Sequence, residues 1–212
     1  MRIAGSLWSV PVDQQSTRLQ NATEAGLAAV HWDATDGTFA AHGGFTPATA
    51  SRLLAECPSI DSEAHLMLQD PRPEIPDWVA FCSLVALPIE IEYAVEATAL
   101  VEKLGGQPAL AVSLRTPLRS VPADYPILLM AIAPGQAGSP FDPAVLDRVS
   151  ELRDRARNPL LGVDGGVGPS EFTALSYAGA NWIASGTSLF ASADPADWLS
   201  LCKSAFSRDS RS

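Results

Sequence analysis

Imidazoles are scarce in this 212-residue chain, which holds three histidines, so the place of each one is informative. His31-Trp32-Asp33 closes a short apolar run, His65 lies within Ala64-His65-Leu66-Met67, and Asp164 stands between Val163 and Gly165-Gly166. Residues two apart on a strand project to the same side, so a strand ending here points His31 and Asp33 together. Two imidazoles and two carboxylates converging from separate strands form a candidate divalent-metal site, with donors suited to Zn, Fe, Mn or Co. Singly, each has a plainer reading: a hydrogen-bonded core histidine, or an aspartate that caps a helix. The combination favours a site, since two of the three histidines fall at predicted strand ends. The third, His42 in Ala41-His42-Gly43-Gly44, reads equally as solvated or pocket-facing.

Three glycine-bearing loops add an anion-binding signal. They are Pro134-Gly135-Gln136-Ala137-Gly138-Ser139, Asp164-Gly165-Gly166-Val167-Gly168 and Ser185-Gly186-Thr187-Ser188. Glycine lets backbone N–H groups turn toward an anion, and a following helix start adds a favourable dipole. One such loop would read as a tight turn; three after successive strands predict a phosphate cradle. They contain no lysine or arginine.

The elements that must carry these residues alternate along the chain. Apolar runs at Ile3–Leu7, Leu27–Trp32, Ala64–Leu68, Leu84–Ile91, Ala109–Leu114, Ile127–Ile132, Leu160–Val163 and Trp182–Ala184 predict eight strands. Stretches of helical period separate most of them: Ser16–Ala25, Pro47–Glu56, Ala94–Leu104, Pro143–Arg157 and Pro169–Tyr177. In Pro143–Arg157 the residues Val145, Leu146, Val149 and Leu152 make one apolar stripe. Pro143 and Pro169 suit a first helical turn, with Asp142 and Gly168 at the caps. Eight strand–helix units in this length predict an α/β fold, a single (β/α)8 TIM barrel over 1–206, with a polar tail over 207–212. An open doubly wound sheet is the alternative. In a barrel the active site lies at the carboxyl ends of the strands, where the candidate residues fall.

Composition narrows the partners. Hydrophobic residues make up 47% and charged residues 18%, a globular balance, and the formal net charge is −10. Such an acidic surface repels phosphate backbones and anionic lipid, so neither nucleic acid nor membrane is an expected partner. No apolar run reaches the ~18 residues that span a bilayer, and Met1–Val12 lacks the features of a signal peptide. Cys57, Cys82 and Cys202 are scattered and odd in number, the pattern of reduced thiols in a cytoplasmic protein.

Taken in order, several segments resemble one known family. They are Ser6-Leu7-Trp8-Ser9, His31-Trp32-Asp33-Ala34-Thr35-Asp36-Gly37, His65-Leu66-Met67, Leu128-Leu129-Met130 with Pro134-Gly135, Val163-Asp164-Gly165-Gly166-Val167, and Gly186-Thr187-Ser188-Leu189-Phe190. The set resembles the ribulose-phosphate 3-epimerases, of the ribulose-phosphate-binding barrel group, from Ile3 to about Phe190. The His-x-Asp, His-Leu-Met and Val-Asp-Gly-Gly matches are the specific ones.

The resemblance implies metal-dependent epimerisation at C3 of a ketose phosphate, first of all D-ribulose 5-phosphate to D-xylulose 5-phosphate, through an enediolate. It implies that Asp33 and Asp164 exchange the proton, and that they bind the divalent cation with His31 and His65. By the same carry-over Ser6 and His65 contact substrate, and Gly135, Gln136, Ala137, Gly138, Gly165, Gly166, Gly186 and Thr187 hold the phosphate. Met67 and Met130 either line the metal pocket or fill the barrel core. The expected partner is a small sugar phosphate, and the expected assembly a homo-oligomer built through outer helices.

Departures from the family pattern bear on the substrate. Ala133 replaces an asparagine, Gln136 and Ala137 replace an aromatic and a glycine, and Thr35 replaces a methionine. Ala41-His42, Glu90 and Pro11 differ as well. Epimerisation of another ketose phosphate, such as a hexulose 6-phosphate, therefore stays open, as does a non-catalytic sugar-phosphate-binding barrel. A decarboxylating relative would need a lysine at a strand end, and the only lysines are Lys103 and Lys203.

Overall fold

Strands that pair in parallel need a crossover of a dozen or more residues between them, and every gap between the apolar runs is long enough to supply one. The computed structural model describes residues 1–40, 43–133, 135–136, 138–155, 157 and 160–207. Its strands are β1 (Arg2–Ser6), β2 (Ala29–Thr35), β3 (Asp61–Met67), β4 (Leu84–Pro88), β5 (Gln107–Val112), β6 (Ile127–Met130), β7 (Leu161–Asp164) and β8 (Trp182–Ser185). They pair in parallel in chain order, and β8 closes on β1 with Ala184 opposite Ala4. The fold is a closed (β/α)8 barrel, not an open sheet.

The helices are α1 (Gln15–Glu24), α2 (Pro47–Ala55), α3 (Ile75–Val79), α4 (Ala94–Lys103), α5 (Ala144–Arg155), α6 (Phe172–Ala178), α7 (Thr187–Phe190) and α8 (Pro195–Ser207). In α2 the Thr46 hydroxyl accepts the Thr49 N–H and Pro47 opens the first turn, so cap and proline both favour a start there. The Asp142 carboxylate accepts the Ala144 N–H at 2.9 Å ahead of α5, which buries Val145, Val149 and Leu152. Leu146, expected in the same stripe, is only half-buried. Asp194 caps α8 by accepting from Ala196 and Asp197.

Several expectations need correction. Helix α6 starts at Phe172, so Pro169 sits in the turn before it and Gly168 is no cap; the Gly168 N–H instead donates to Glu171. Between β5 and β6 only a 3-10 turn at Leu118–Ser120 occurs among the described residues, and α3, α7 and α8 are helices that the periodicity did not single out. The last helix runs through Ser207, the first residue of the expected tail, and 208–212 lie outside the described residues. No helix of the described residues is long and apolar enough to cross a membrane.

Because both faces of the strands are covered, side-chain parity sorts residues into two apolar regions. Val30, Trp32, Leu66, Val85, Val163 and Ile183 face the helices. Leu84, Ala86, Ala109, Ala111, Leu128, Met130 and Trp182 fill the barrel interior as a separate cluster. The alanines leave volume for the Trp182 indole. Gly162 is required beside it, since a Cβ there would lie 2.5 Å from the ring. All three cysteines are buried and unpaired.

Candidate metal centre and active site

Register brings the four candidate residues together. Pairing of β2 with β3 sets Asp33 opposite His65, and β1 sets Ser6 opposite His31. Across the barrel, Asp164 ends β7 beside Met130 of β6 and Ala184 of β8. The second strand continues to Thr35, two residues past the expected end, so His31 and Asp33 lie within it; parity still turns both inward. One donor atom each from His31, Asp33, His65 and Asp164 lies within 4.8 Å of the others.

The centre is rich in acceptors and short of protein partners. His31 Nε2 lies 3.4 Å from Asp33 Oδ1 and 3.9 Å from Asp164 Oδ2. His65 Nδ1 lies 3.5 Å and 3.8 Å from the same two oxygens. Both ring nitrogens are buried and without a hydrogen-bond partner. A buried polar atom left unpaired is costly, and a cation between these four donors would satisfy both nitrogens. The residues therefore fit a divalent ion with mixed nitrogen and oxygen ligands.

Electrostatics separate the two aspartates. Burial would raise both. For Asp33 the His31 and His65 imidazoles outweigh it, and the carboxyl falls well below its ordinary value. For Asp164 burial prevails and, with the charges of Asp33 and Glu63, pushes the carboxyl up to about 6 against the pull of both histidines. Burial would lower the His31 imidazole, yet Asp33, Glu63 and Asp164 raise it well above its usual range. The Ser6 hydroxyl donates to Asp33 Oδ2 at 2.6 Å, leaving Oδ1 for the centre.

A cavity of about 270 Å³ opens above these groups. Its walls include Ser6, Asp33, Asp164, Gly135, Gln136, Gly138, Gly165, Gly166, Gly186 and Thr187, so the three glycine loops and the carboxylates share one space. Gly166 (φ 66°) cannot be replaced freely: a Cβ would meet the Phe141 backbone N at 2.4 Å, which locks the loop after β7 against the one after β6. Met67 and Met130 line the cavity, and Met130 also packs in the barrel interior. His31 and His65 are fully buried and form no part of the cavity wall. No lysine or arginine occurs among the described wall residues.

Other expectations fall elsewhere. Ala137, Pro134, Ala41 and His42 lie outside the described residues. Glu90 accepts from the Ser113 N–H at 2.9 Å and from the Thr116 hydroxyl, and is absent from the cavity wall. Thr35 donates to the Gly43 carbonyl at 2.9 Å, tying the loop after β2 to its strand. Residues given no site role from sequence include Trp8, Ser9 and Ile132 in the wall, and Glu63, which lies 2.7 Å from His31 Nδ1. Strand parity with His65 was the signal for Glu63.

Comparison with known proteins adds to this geometry. The model of the ribulose-phosphate 3 epimerase family matches residues 2–190. A ribulose-phosphate 3-epimerase of Aquifex aeolicus is 30% identical over 206 residues, covering 91% of this chain and 88% of that protein. The cytoplasmic isoform of Oryza sativa subsp. japonica is 27% identical over 218 residues, with 94% and 91% covered. A solved structure of 3-hexulose-6-phosphate synthase from Salmonella typhimurium superposes with a TM-score of 0.75 over 98% of this chain and 99% of its own, at 13% identity, a likeness of fold. By the extent of the family match and the identity to its members, this chain belongs to the ribulose-phosphate 3 epimerase family, a family of isomerases.

Proposed function

We propose that the chain epimerises D-ribulose 5-phosphate and D-xylulose 5-phosphate at C3, using a divalent cation held by His31, Asp33, His65 and Asp164. The observation that carries this reading is the pair of unpartnered buried imidazole nitrogens facing two carboxylates at the base of a cavity walled by glycine loops. Loaded with a divalent ion, the centre would supply Lewis-acid stabilisation of the charge that develops on the ketone oxygen.

The chain's own groups handle the proton and the phosphate. Asp33 and Asp164 sit on different strands, and the substrate C3 fits between them as the carbon whose hydrogen is removed. One carboxylate takes the proton as the C–H bond breaks, leaving a planar enediolate; the other returns a proton to the opposite face. The two carboxyls differ before an ion adds its own charge, with Asp33 held below its ordinary value by the imidazoles and Asp164 pushed above it by burial. In the reverse reaction the roles exchange. The Ser6 hydroxyl fixes the orientation of Asp33. Backbone N–H groups of Gly135, Gln136, Gly138, Gly165, Gly166, Gly186 and Thr187 hold the phosphate, and the absence of a cationic side chain from the described wall supports a backbone grip. Buried, unpaired cysteines support a cytoplasmic setting. The expected homo-oligomer would associate through the outer helices, since the barrel has no free strand edge.

The test is deuterium incorporation from heavy water, scanned over pentulose 5-phosphates and hexulose 6-phosphates with Zn, Fe, Mn and Co. Exchange at C3 of ribulose 5-phosphate is expected, with loss on chelation. Preferential exchange of a hexulose phosphate would reassign the substrate, and phosphate-ligand binding without any exchange would leave a non-catalytic barrel.

A further inference from the structure

The floor of the barrel holds a buried carboxylate that the proton transfer does not use. Glu63 lies on β3 two residues before His65, so it projects inward one layer deeper than the metal centre. Its side chain is fully buried. Three donors from three other strands converge on it. The Arg2 guanidinium of β1 pairs with Oε2, Trp182 Nε1 of β8 donates to Oε1 at 3.0 Å, and His31 Nδ1 of β2 lies 2.7 Å from Oε1. Arg2 is itself tethered to Asp61 at 2.7 Å.

Donor accounting fixes the His31 proton. Arginine and the indole N–H only donate, and a carboxylate ion-paired with arginine only accepts. The contact at Nδ1 therefore places a proton on Nδ1 and leaves Nε2 as the one ring nitrogen that can ligate an ion. Nε2 is the atom that faces Asp33 and Asp164 with no hydrogen-bond partner. Metal-binding histidines commonly donate their other ring nitrogen to a carboxylate, which sets both tautomer and ring angle.

We propose that Glu63 is a positioning residue of the metal centre: it holds His31 as the Nδ1–H form with Nε2 turned toward the ion, while Arg2 and Trp182 lock Glu63 from the closed end of the barrel. The proposal rests on the reading that His31, Asp33, His65 and Asp164 bind a divalent cation. If the Arg2–Glu63 pair served only to plug the floor, its loss would lower stability without altering what His31 offers to the metal.

The experiment uses the full chain labelled with 15N-histidine, titrated with zinc. In the wild type, His31 Nδ1 is expected to carry a slowly exchanging proton both before and after zinc addition. Glu63→Gln offers His31 an amide that can donate as well as accept, so the tautomer is no longer fixed. Its zinc affinity is expected to fall about 10- to 100-fold, with the native far-UV spectrum kept. An unprotonated Nδ1 in the wild-type protein overturns the proposal with no variant needed, and so does equal zinc affinity in a folded Glu63→Gln protein. Should that variant fail to fold, Arg2→Gln takes its place, leaving the Glu63–His31 contact but releasing the clamp. Severalfold weaker zinc binding is then expected, and unchanged binding overturns the locking role. A wild type that binds no zinc, cobalt or manganese defeats the cation reading itself, and its Nδ1 signal still decides whether Glu63 sets the tautomer.

Discussion

Asp33 and Asp164 carry the same functional group in surroundings that drive it in opposite directions. Asp33 lies against both imidazoles and accepts from Ser6, so its charged form is favoured. Asp164 sees burial and two neighbouring negative charges, so its protonated form is favoured up to about pH 6. A pair split in this way suits the two faces of one carbon. Asp33→Asn and Asp164→Asn are each expected to lower C3 hydrogen exchange by about 10²- to 10⁴-fold, the usual scale for removing a general base or acid. Deuterium exchange checks this, with the far-UV spectrum and thermal melt showing that the barrel persists. Near-normal exchange in either variant would remove that residue from the pair. His65→Ala makes a different demand, because it deletes a nitrogen that has no protein partner. Metal content per chain, measured by elemental analysis, is expected to drop, and an unchanged content would take His65 out of the ligand set.

Among the elements, β7 and the loop after β2 make the sharpest demands. Gly162 of β7 lies under the Trp182 ring, with Leu128 also close to the position of a missing Cβ. Gly162→Ala is therefore expected to destabilise by about 1–3 kcal/mol through overpacking, read as a lower urea midpoint at constant m-value. Trp182→Phe alone should also destabilise, because it removes the hydrogen bond to Glu63. In the double variant the combined loss should be smaller than the sum of the single losses, since the smaller ring vacates the contact; strictly additive losses would mean that the clash is relieved elsewhere. The loop after β2 is hooked by Asp36, whose carboxylate accepts from the Thr38, Phe39 and Gln69 N–H groups at 2.8, 2.8 and 2.6 Å. Burial would raise this carboxyl, but the backbone donors Gln69, Phe39 and Thr38 together outweigh it and hold it below its ordinary value. A depressed carboxyl stabilises the fold fully above its unfolded value of about 3.9, and that contribution disappears as pH falls through the lowered folded value. Urea melts between pH 7 and pH 2.5 should show Asp36→Asn closing its gap to the wild type toward the acid end. A gap that stays constant with pH would show that the carboxylate charge is not what holds the loop. The strands were legible because a short apolar run is a local pattern. The helices α3 and α7 were not, because five and four residues are too short to display a period.

At the scale of the molecule, the mouth of the barrel was easier to read than its floor. His31, Asp33, His65 and Asp164 announced themselves by type and by their place near strand ends. The Glu63–His31 contact joins residues 32 apart, and it exists only because β2 and β3 pair in one particular register. Trp182 donates to the same carboxylate from 119 residues away, through closure of the barrel. No spacing in the chain encodes either meeting. Net charge, by contrast, is fully written in the sequence, and it sets a last expectation. The chain carries −10 while the proposed substrate is a phosphate anion, so the long-range field opposes encounter. Salt screens that repulsion over a Debye length of about 30 Å at 0.01 M and about 8 Å at 0.15 M. The ratio kcat/KM should therefore rise with ionic strength across this range, by about two- to threefold. The value of kcat at saturation should hold constant, since the proton moves between buried groups that salt reaches poorly. The measurement is initial rate against sodium chloride at fixed metal occupancy. A fall in kcat/KM instead would mean that the positive charge of the loaded centre, focused by the cavity, outweighs the acidic surface as the field the substrate meets.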